Sequence, residues 1–181
     1  MDNGKISVRY ARALLQQAES EQCAREVYEG MKRLTANYSQ DIKAFDDALS
    51  NPNVSDEKKI ELLQIAIGEP THPCIVHFLE FLTAKKRENK IFLIALKYQE
   101  MFRKANNIIR ADVTTAMEVD DNTLDKIRAF VEQSLHCTAD MHSKVDPSLI
   151  GGFTLDLEHD RMDASIKGRL EQFRINNIEL S

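Results

Sequence analysis

The sequence predicts an α+β chain that is mostly α, with a six-helix bundle over residues 1–105 followed by a small α+β module over residues 106–181. Three observations lead to that class. Apolar residues recur at helical spacing from Ile6 to Lys104, and after Asn106-Asn107 the period falls to two. Charge changes across the same boundary, with 16 Lys and Arg against 15 Asp and Glu before it and 8 against 14 after it. The first part is nearly neutral and the second strongly acidic.

The elements follow in order. A first helix carries Tyr10, Ala11, Leu14, Leu15 and Ala18 on one stripe, and a second carries Cys23, Val27, Met31, Leu34 and Tyr38. A short third helix shows Ile42, Phe45 and Leu49 before Asn51-Pro52-Asn53 breaks the pattern, because proline disfavours helical geometry in the residue before it. Ser55 is placed to cap a fourth helix with Ile60, Leu63 and Ile67, which stops at Gly68 with Pro70 behind it. Pro73 opens a fifth, with Ile75, Phe78, Leu79 and Leu82, and a sixth runs through Ile91, Ile94, Tyr98, Met101 and Phe102. These stripes need one another for burial, and a bundle is the simplest arrangement that provides it.

Beyond the boundary, Ile109, Ala111, Val113 and Thr115 alternate as a strand, and a helix capped near Asp121 carries Leu124, Ile127, Val131 and Leu135. A weak alternation through Ala139, Met141 and Val145 reads as a second strand. Asp146-Pro147-Ser148 and Gly151-Gly152 are turn signals before a third, Phe153–Leu157, and a last helix carries Ile166, Leu170 and Phe173. The core of such a module is marginal by surface-to-volume arithmetic, so a partner is expected to help order it.

Composition narrows the function. The longest apolar run, Ile91 to Leu96, falls far short of the ~20 residues that cross a bilayer, so no direct membrane insertion is expected. The N-terminus lacks the apolar core of a secretory signal, and three widely spaced cysteines point to a reducing compartment. Neither part has the positive excess of a nucleic-acid surface. His72, Cys74 and His77 form one set of possible metal ligands and His136, Cys137 and His142 another, but neither offers the four ligands of a closed zinc site. Asp156, Glu158 and Asp160 would share one side of the third strand if it stayed extended, on its solvated face, where no carboxyl is desolvated for acid–base work. Gly151-Gly152 lacks the continuation of a phosphate loop. No catalytic residue, cofactor site or metal site is expected.

Two stretches point to a family. Arg9-Tyr10-Ala11-Arg12-Ala13-Leu14, followed by Leu49 to Ser55 and by Arg87, resembles the N-terminal domain of the delta subunit of F-type ATP synthase, whose mitochondrial counterpart is the oligomycin-sensitivity conferring protein. Val145-Asp146-Pro147-Ser148-Leu149-Ile150-Gly151-Gly152-Phe153, with Asp163-Ala164-Ser165-Ile166 and Leu170, resembles that family's C-terminal signature in content, order and spacing. The chain departs from the pattern at Lys86, where a small residue, often glycine, usually precedes the arginine. It departs again at residues 140–144, which are more polar than the usual strand.

The resemblance implies a non-catalytic stator subunit that links the catalytic head to the peripheral stalk, so that rotation stays coupled to proton flow and ATP synthesis. It implies a location at the cytoplasmic face of the cell membrane as part of the complex. It further implies that residues 1–105 bind the N-terminal segment of an alpha subunit in a groove between the first and fifth helices, and that residues 106–181 hold the b subunits of the stalk. On that basis Tyr10, Ala13 and Leu14 are placed on one wall of the groove, His77, Phe78 and Phe81 on the other, and Arg87 at its end. Each apolar member could equally serve the bundle's own core. Asp146, Gly151, Gly152, Asp163 and Ser165 are read as turn and cap residues. The competing readings are a helical adaptor of another assembly, an RNA-binding bundle using Lys85 to Lys90, and a metal-dependent hydrolase using Asp156 to Asp160.

Overall fold

A computed structural model of the chain describes residues 3–68, 71–149, 151–157 and 160–163. The chain divides into two compact units, Met1–Ala105 and Asn106–Ser181.

The first unit holds α1 (Asn3–Ser20), α2 (Ala24–Gln40), α3 (Ile42–Ser50), α4 (Asp56–Ile67), α5 (Pro73–Ala84), a 3-10 turn at Glu88–Lys90, and α6 (Ile91–Ala105). Its helix ends follow local chemistry. The Ser55 hydroxyl accepts the Lys58 backbone N–H at 3.4 Å, and Gly68 closes α4 at φ 87°, a conformation that a side chain would strain. His72 Nδ1 accepts the Cys74 N–H at 3.2 Å, so this histidine caps α5 rather than serving as part of a metal set. The apolar stripes converge on one core: Ala11, Leu14, Val27, Met31, Leu34, Leu63, Ile67, Leu79, Leu82, Ile91, Ile94 and Tyr98 expose 1% or less of their surface. Helix α6 packs across α1 and α2, and α4 lies against α2 and α5. Gly30 permits that last approach, since a Cβ there would come within 2.8 Å of Ile75 Cδ1 and 3.3 Å of Ile67 Cγ2. One stripe differs from expectation. Ile42 is 47% exposed, because the short α3 packs through Leu49 and through Phe45, whose ring stacks on Tyr38 with centroids 4.6 Å apart.

Polar groups inside this core are bonded. Gln99 Nε2 donates to the Met31 carbonyl and to Thr35 Oγ1, each at 3.0 Å, and the Tyr98 hydroxyl donates to the Ala24 carbonyl at 3.0 Å. Lys59 Nζ meets Glu88 Oε1 at 2.8 Å with both side chains 7% exposed. That buried pair fastens the 3-10 turn to α4.

The second unit contains β1 (Ile108–Thr115), α7 (Asp121–Leu135), β2 (Thr138–Val145), a 3-10 turn at Pro147–Leu149, β3 (Phe153–Leu157) and β4 (Asp160–Asp163). The sheet order is β2-β1-β3-β4, with β1 and β2 parallel and the other neighbours antiparallel. Helix α7 is the crossover that a parallel pair requires, and it packs on β2. The core is small: Ala111, Val113, Val131, Ala139 and Leu155, edged by Ile127, Met141, Phe153 and Leu157. Strand β2 is polar over residues 140–144 because it lies at the sheet edge, where only one neighbour and little core must be satisfied.

One expectation for this unit needs correction, and one lies beyond the described residues. The third strand does not stay extended through Asp160. It ends at Leu157, and Asp160 stands opposite Leu157 on an unforeseen fourth strand, with Asp156 opposite Arg161. Asp156 and Asp160 therefore do not line one strand, and Glu158 lies outside the described residues. The predicted last helix with Ile166, Leu170 and Phe173, and with it Ser165, lies outside the described residues. Among the described residues the chain is α+β and mostly α, with seven α-helices and a four-stranded sheet.

Candidate functional site

On α1 a half-buried Tyr10 and an exposed Ala13 edge the core stripe. On α5 His77 and Phe81, one turn apart, are exposed, Phe81 by 48%. The two helices pack together, and the Tyr10 and Phe81 rings bridge them with centroids 6.0 Å apart and planes tilted by 44°. A 48% exposed phenylalanine supported by a second ring is an apolar shelf already built and only half covered. The structure thus brings Tyr10, Ala13, His77 and Phe81 to the accessible side of the α1–α5 pair. Leu14 and Phe78, expected on the walls, are corrected to core positions: they expose 0% and 5% of their surface and support the shelf from beneath. Their stripe positions, pointing inward, leave a partner nothing to touch.

Exposed basic residues stand near the shelf, of which the sequence had suggested only Arg87. Lys5, Arg9 and Arg12 run along α1 at i, i+4 and i+7, all exposed, and Lys85 and Arg87 follow the end of α5. The Arg9 guanidinium lies 5.7 Å from the Tyr10 ring centroid, and the Lys85 ammonium 5.9 Å from that of Phe81. None of these five cations forms an ion pair with a described residue, whereas Lys59, Lys86, Lys97, Arg110 and Arg128 all do. The signal was present in the sequence as helical spacing of basic residues, but it needed the α1–α5 contact to place Arg9 and Lys85 beside the shelf.

Other candidates disperse. Cys74 is buried and His77 exposed, so they do not form a chelating pair. Of the basic run, Lys86 is held by Asp56 at 2.8 Å and Glu88 is buried against Lys59, which breaks the continuous cationic surface that an RNA backbone would need. A cleft of about 560 Å³ beside α2 is lined by Arg25, Glu26, Glu29, Arg33, Thr71 and His72 among others, but its charges are mixed and Arg33 Nε donates to the Ile67 carbonyl. In the second unit Asp146 acts as a turn residue: its N–H donates to the Thr115 carbonyl at 2.8 Å and its Oδ1 accepts the Ser148 N–H at 3.0 Å. Gly152 has φ 78°, which glycine adopts without cost, while Gly151 beside it lies in the same bend. Asp163 ends β4 opposite Thr154.

Comparisons with known proteins identify the family. The sequence matches the family described as ATP synthase delta (OSCP) subunit over residues 6–176. It is 35% identical to the ATP synthase subunit delta of Parabacteroides distasonis, covering 99% of both chains. It is 31% identical to the subunit of the same name from Bacteroides fragilis, covering 99% of this chain and 97% of that one. The fold is similar to that of a chain in the mitochondrial ATP synthase hexamer of Toxoplasma gondii, with a TM-score of 0.67 at 20% identity over 95% of this chain and 97% of the other. With a family match running across both units, from the first helix to beyond the last described strand, the chain belongs to the ATP synthase delta (OSCP) subunit family.

Proposed function

We propose that this delta-family subunit works as a two-ended link, its first unit capping the catalytic head and its second unit holding the peripheral stalk. As a delta (OSCP) subunit it is a structural, non-catalytic stator component of ATP synthase. Among the described residues no helix is long and apolar enough to cross a membrane, which suits a peripheral member of the complex, on our reading at the cytoplasmic face of the cell membrane. The observation that carries the head-binding half is the Tyr10–Phe81 shelf between α1 and α5. An amphipathic helix from the N-terminus of an alpha subunit would lay its anchors at i, i+3, i+4 and i+7 along it, with Ala13 permitting close approach. Acidic residues flanking those anchors would meet Arg9 and Lys85, whose cations lie beside the two shelf rings, which favours encounter and fixes orientation. A six-helix unit with a preformed shelf loses little entropy on binding, so affinity does not require a large interface.

The stalk-binding half rests on the small core and the acidic balance of the second unit. Basic residues on the b subunits would be steered to it, and association would slow as salt is raised. Titration calorimetry of the full chain with a synthetic alpha N-terminal peptide is expected to show 1:1 binding. A folded chain that gives no heat beyond the buffer blank would overturn the groove assignment.

A further inference from the structure

Cys23 and Cys74 stand 51 residues apart in sequence, yet their sulfurs and a Glu21 carboxylate oxygen all lie within 4.8 Å of one another. Cys23 is the N-cap residue of α2 and Cys74 lies in the first turn of α5, so two helix N-termini converge on the pair. Both cysteines are buried, at 3% and 0% exposure, while Glu21 is exposed on the α1–α2 turn and closes the solvent side of the cluster. That turn is fixed by Gln22 at φ 57° and by the Cys23 N–H donating to the Ala18 carbonyl at 2.9 Å.

We propose that Cys23, Cys74 and Glu21 form a binding site for a thiophilic divalent cation, zinc being the probe of choice, with the fourth position open to water beside Glu21. A tetrahedral zinc with Zn–S of about 2.3 Å and Zn–O of about 2.1 Å sets its donors about 3.6–3.8 Å apart. The present spacing needs only a small contraction of side chains that already converge. Two sulfurs and one oxygen are a donor set that selects zinc over magnesium or calcium, which take oxygen alone. Binding converts two thiols to thiolates, so each zinc taken up releases two protons and leaves a neutral Zn(S)2 core with the carboxylate as third ligand. The ion ties the end of α1 and the start of α2 to the start of α5, and by linkage it stabilises the first unit.

The test uses the full chain, reduced and stripped with a chelator, then equilibrated with zinc and separated from free metal. About one zinc per chain is expected, together with a higher melting temperature. Cys23→Ser and Cys74→Ser are expected to lower affinity at least tenfold, Glu21→Gln to lower it less, and Cys137→Ser to leave it unchanged. Cobalt added to the wild-type chain is expected to show sulfur-to-cobalt charge-transfer absorption of two-thiolate intensity, a readout that survives any misfolding of the cysteine variants. Folded wild-type protein that shows no such band, or that binds no more zinc than its Cys23→Ser/Cys74→Ser double variant, would overturn the site.

Discussion

Lys86 holds φ at 52°, in the left-handed region that costs an L-residue free energy and that glycine enters freely. That geometry suits the small residue, often glycine, that the family resemblance implies at this position; here the Lys86–Asp56 pair at 2.8 Å compensates. Both side chains of that pair are substantially exposed, so the compensation is weak. Lys86→Gly is therefore expected to raise the urea midpoint of unfolding. Two positions further on the balance reverses. Glu88 and Lys59 are buried, Glu88 Oε2 has no partner among the described residues, and loss of either charge strands the other in the core. Lys59→Met should destabilise the chain by about 3–5 kcal/mol in urea melts, while Lys59→Met with Glu88→Leu should recover most of the loss. Alkaline sensitivity also belongs to single residues. Burial, then the neighbouring Cys23 and Glu21, pushes the Cys74 thiol up to about 12. Burial and the bond to Asp46 raise the Tyr38 hydroxyl, and burial raises that of Tyr98. The folded form keeps protons that the unfolded chain gives up, so stability is complete below about pH 8.5 and falls as pH rises toward 12. Thermal melts with chelator present should show this decline, with a shallower slope in Cys74→Ala.

At the scale of elements, the helices of the first unit were legible because each is amphipathic and ends at a residue with one physical role: Ser55 as acceptor, Gly68 in the left-handed region, Pro73 as a preset first turn. The groove was legible only in part. Stripe spacing cannot say which of Tyr10 and Leu14, four residues apart, edges the core and which enters it; that depends on where α6 and α2 lie. Strand β4 was invisible because a four-residue edge strand, Asp160–Asp163, has one apolar residue and no alternation. The Cys23–Cys74 meeting was hidden for a different reason, since nothing local encodes contact across 51 residues. Groove predictions can now separate shelf from support. Ala13→Trp and Phe81→Ala should each weaken binding of the alpha N-terminal peptide tenfold or more by calorimetry, with little change in melting temperature because both positions are exposed. Phe78→Ala should instead unfold the unit at lower urea, since a large core side chain is lost.

At the scale of the whole molecule, the proposed division of labour rests on the contrast between the two cores. The first unit buries apolar residues from all six helices and can present a fixed surface. The second relies on a small cluster around Val113 and Leu155, with polar edge positions on β2. A link of this kind must bind at both ends at once, and that requirement is more demanding than affinity at either end. The decisive measurement is analytical ultracentrifugation of the full chain mixed with an alpha N-terminal peptide and the soluble part of the b subunits, each detected by its own absorbing label. The account predicts one complex carrying both labels, with Phe81→Ala removing the peptide and leaving b bound. Competition between the two partners for the chain, or failure of both to appear in one sedimenting species, would contradict it.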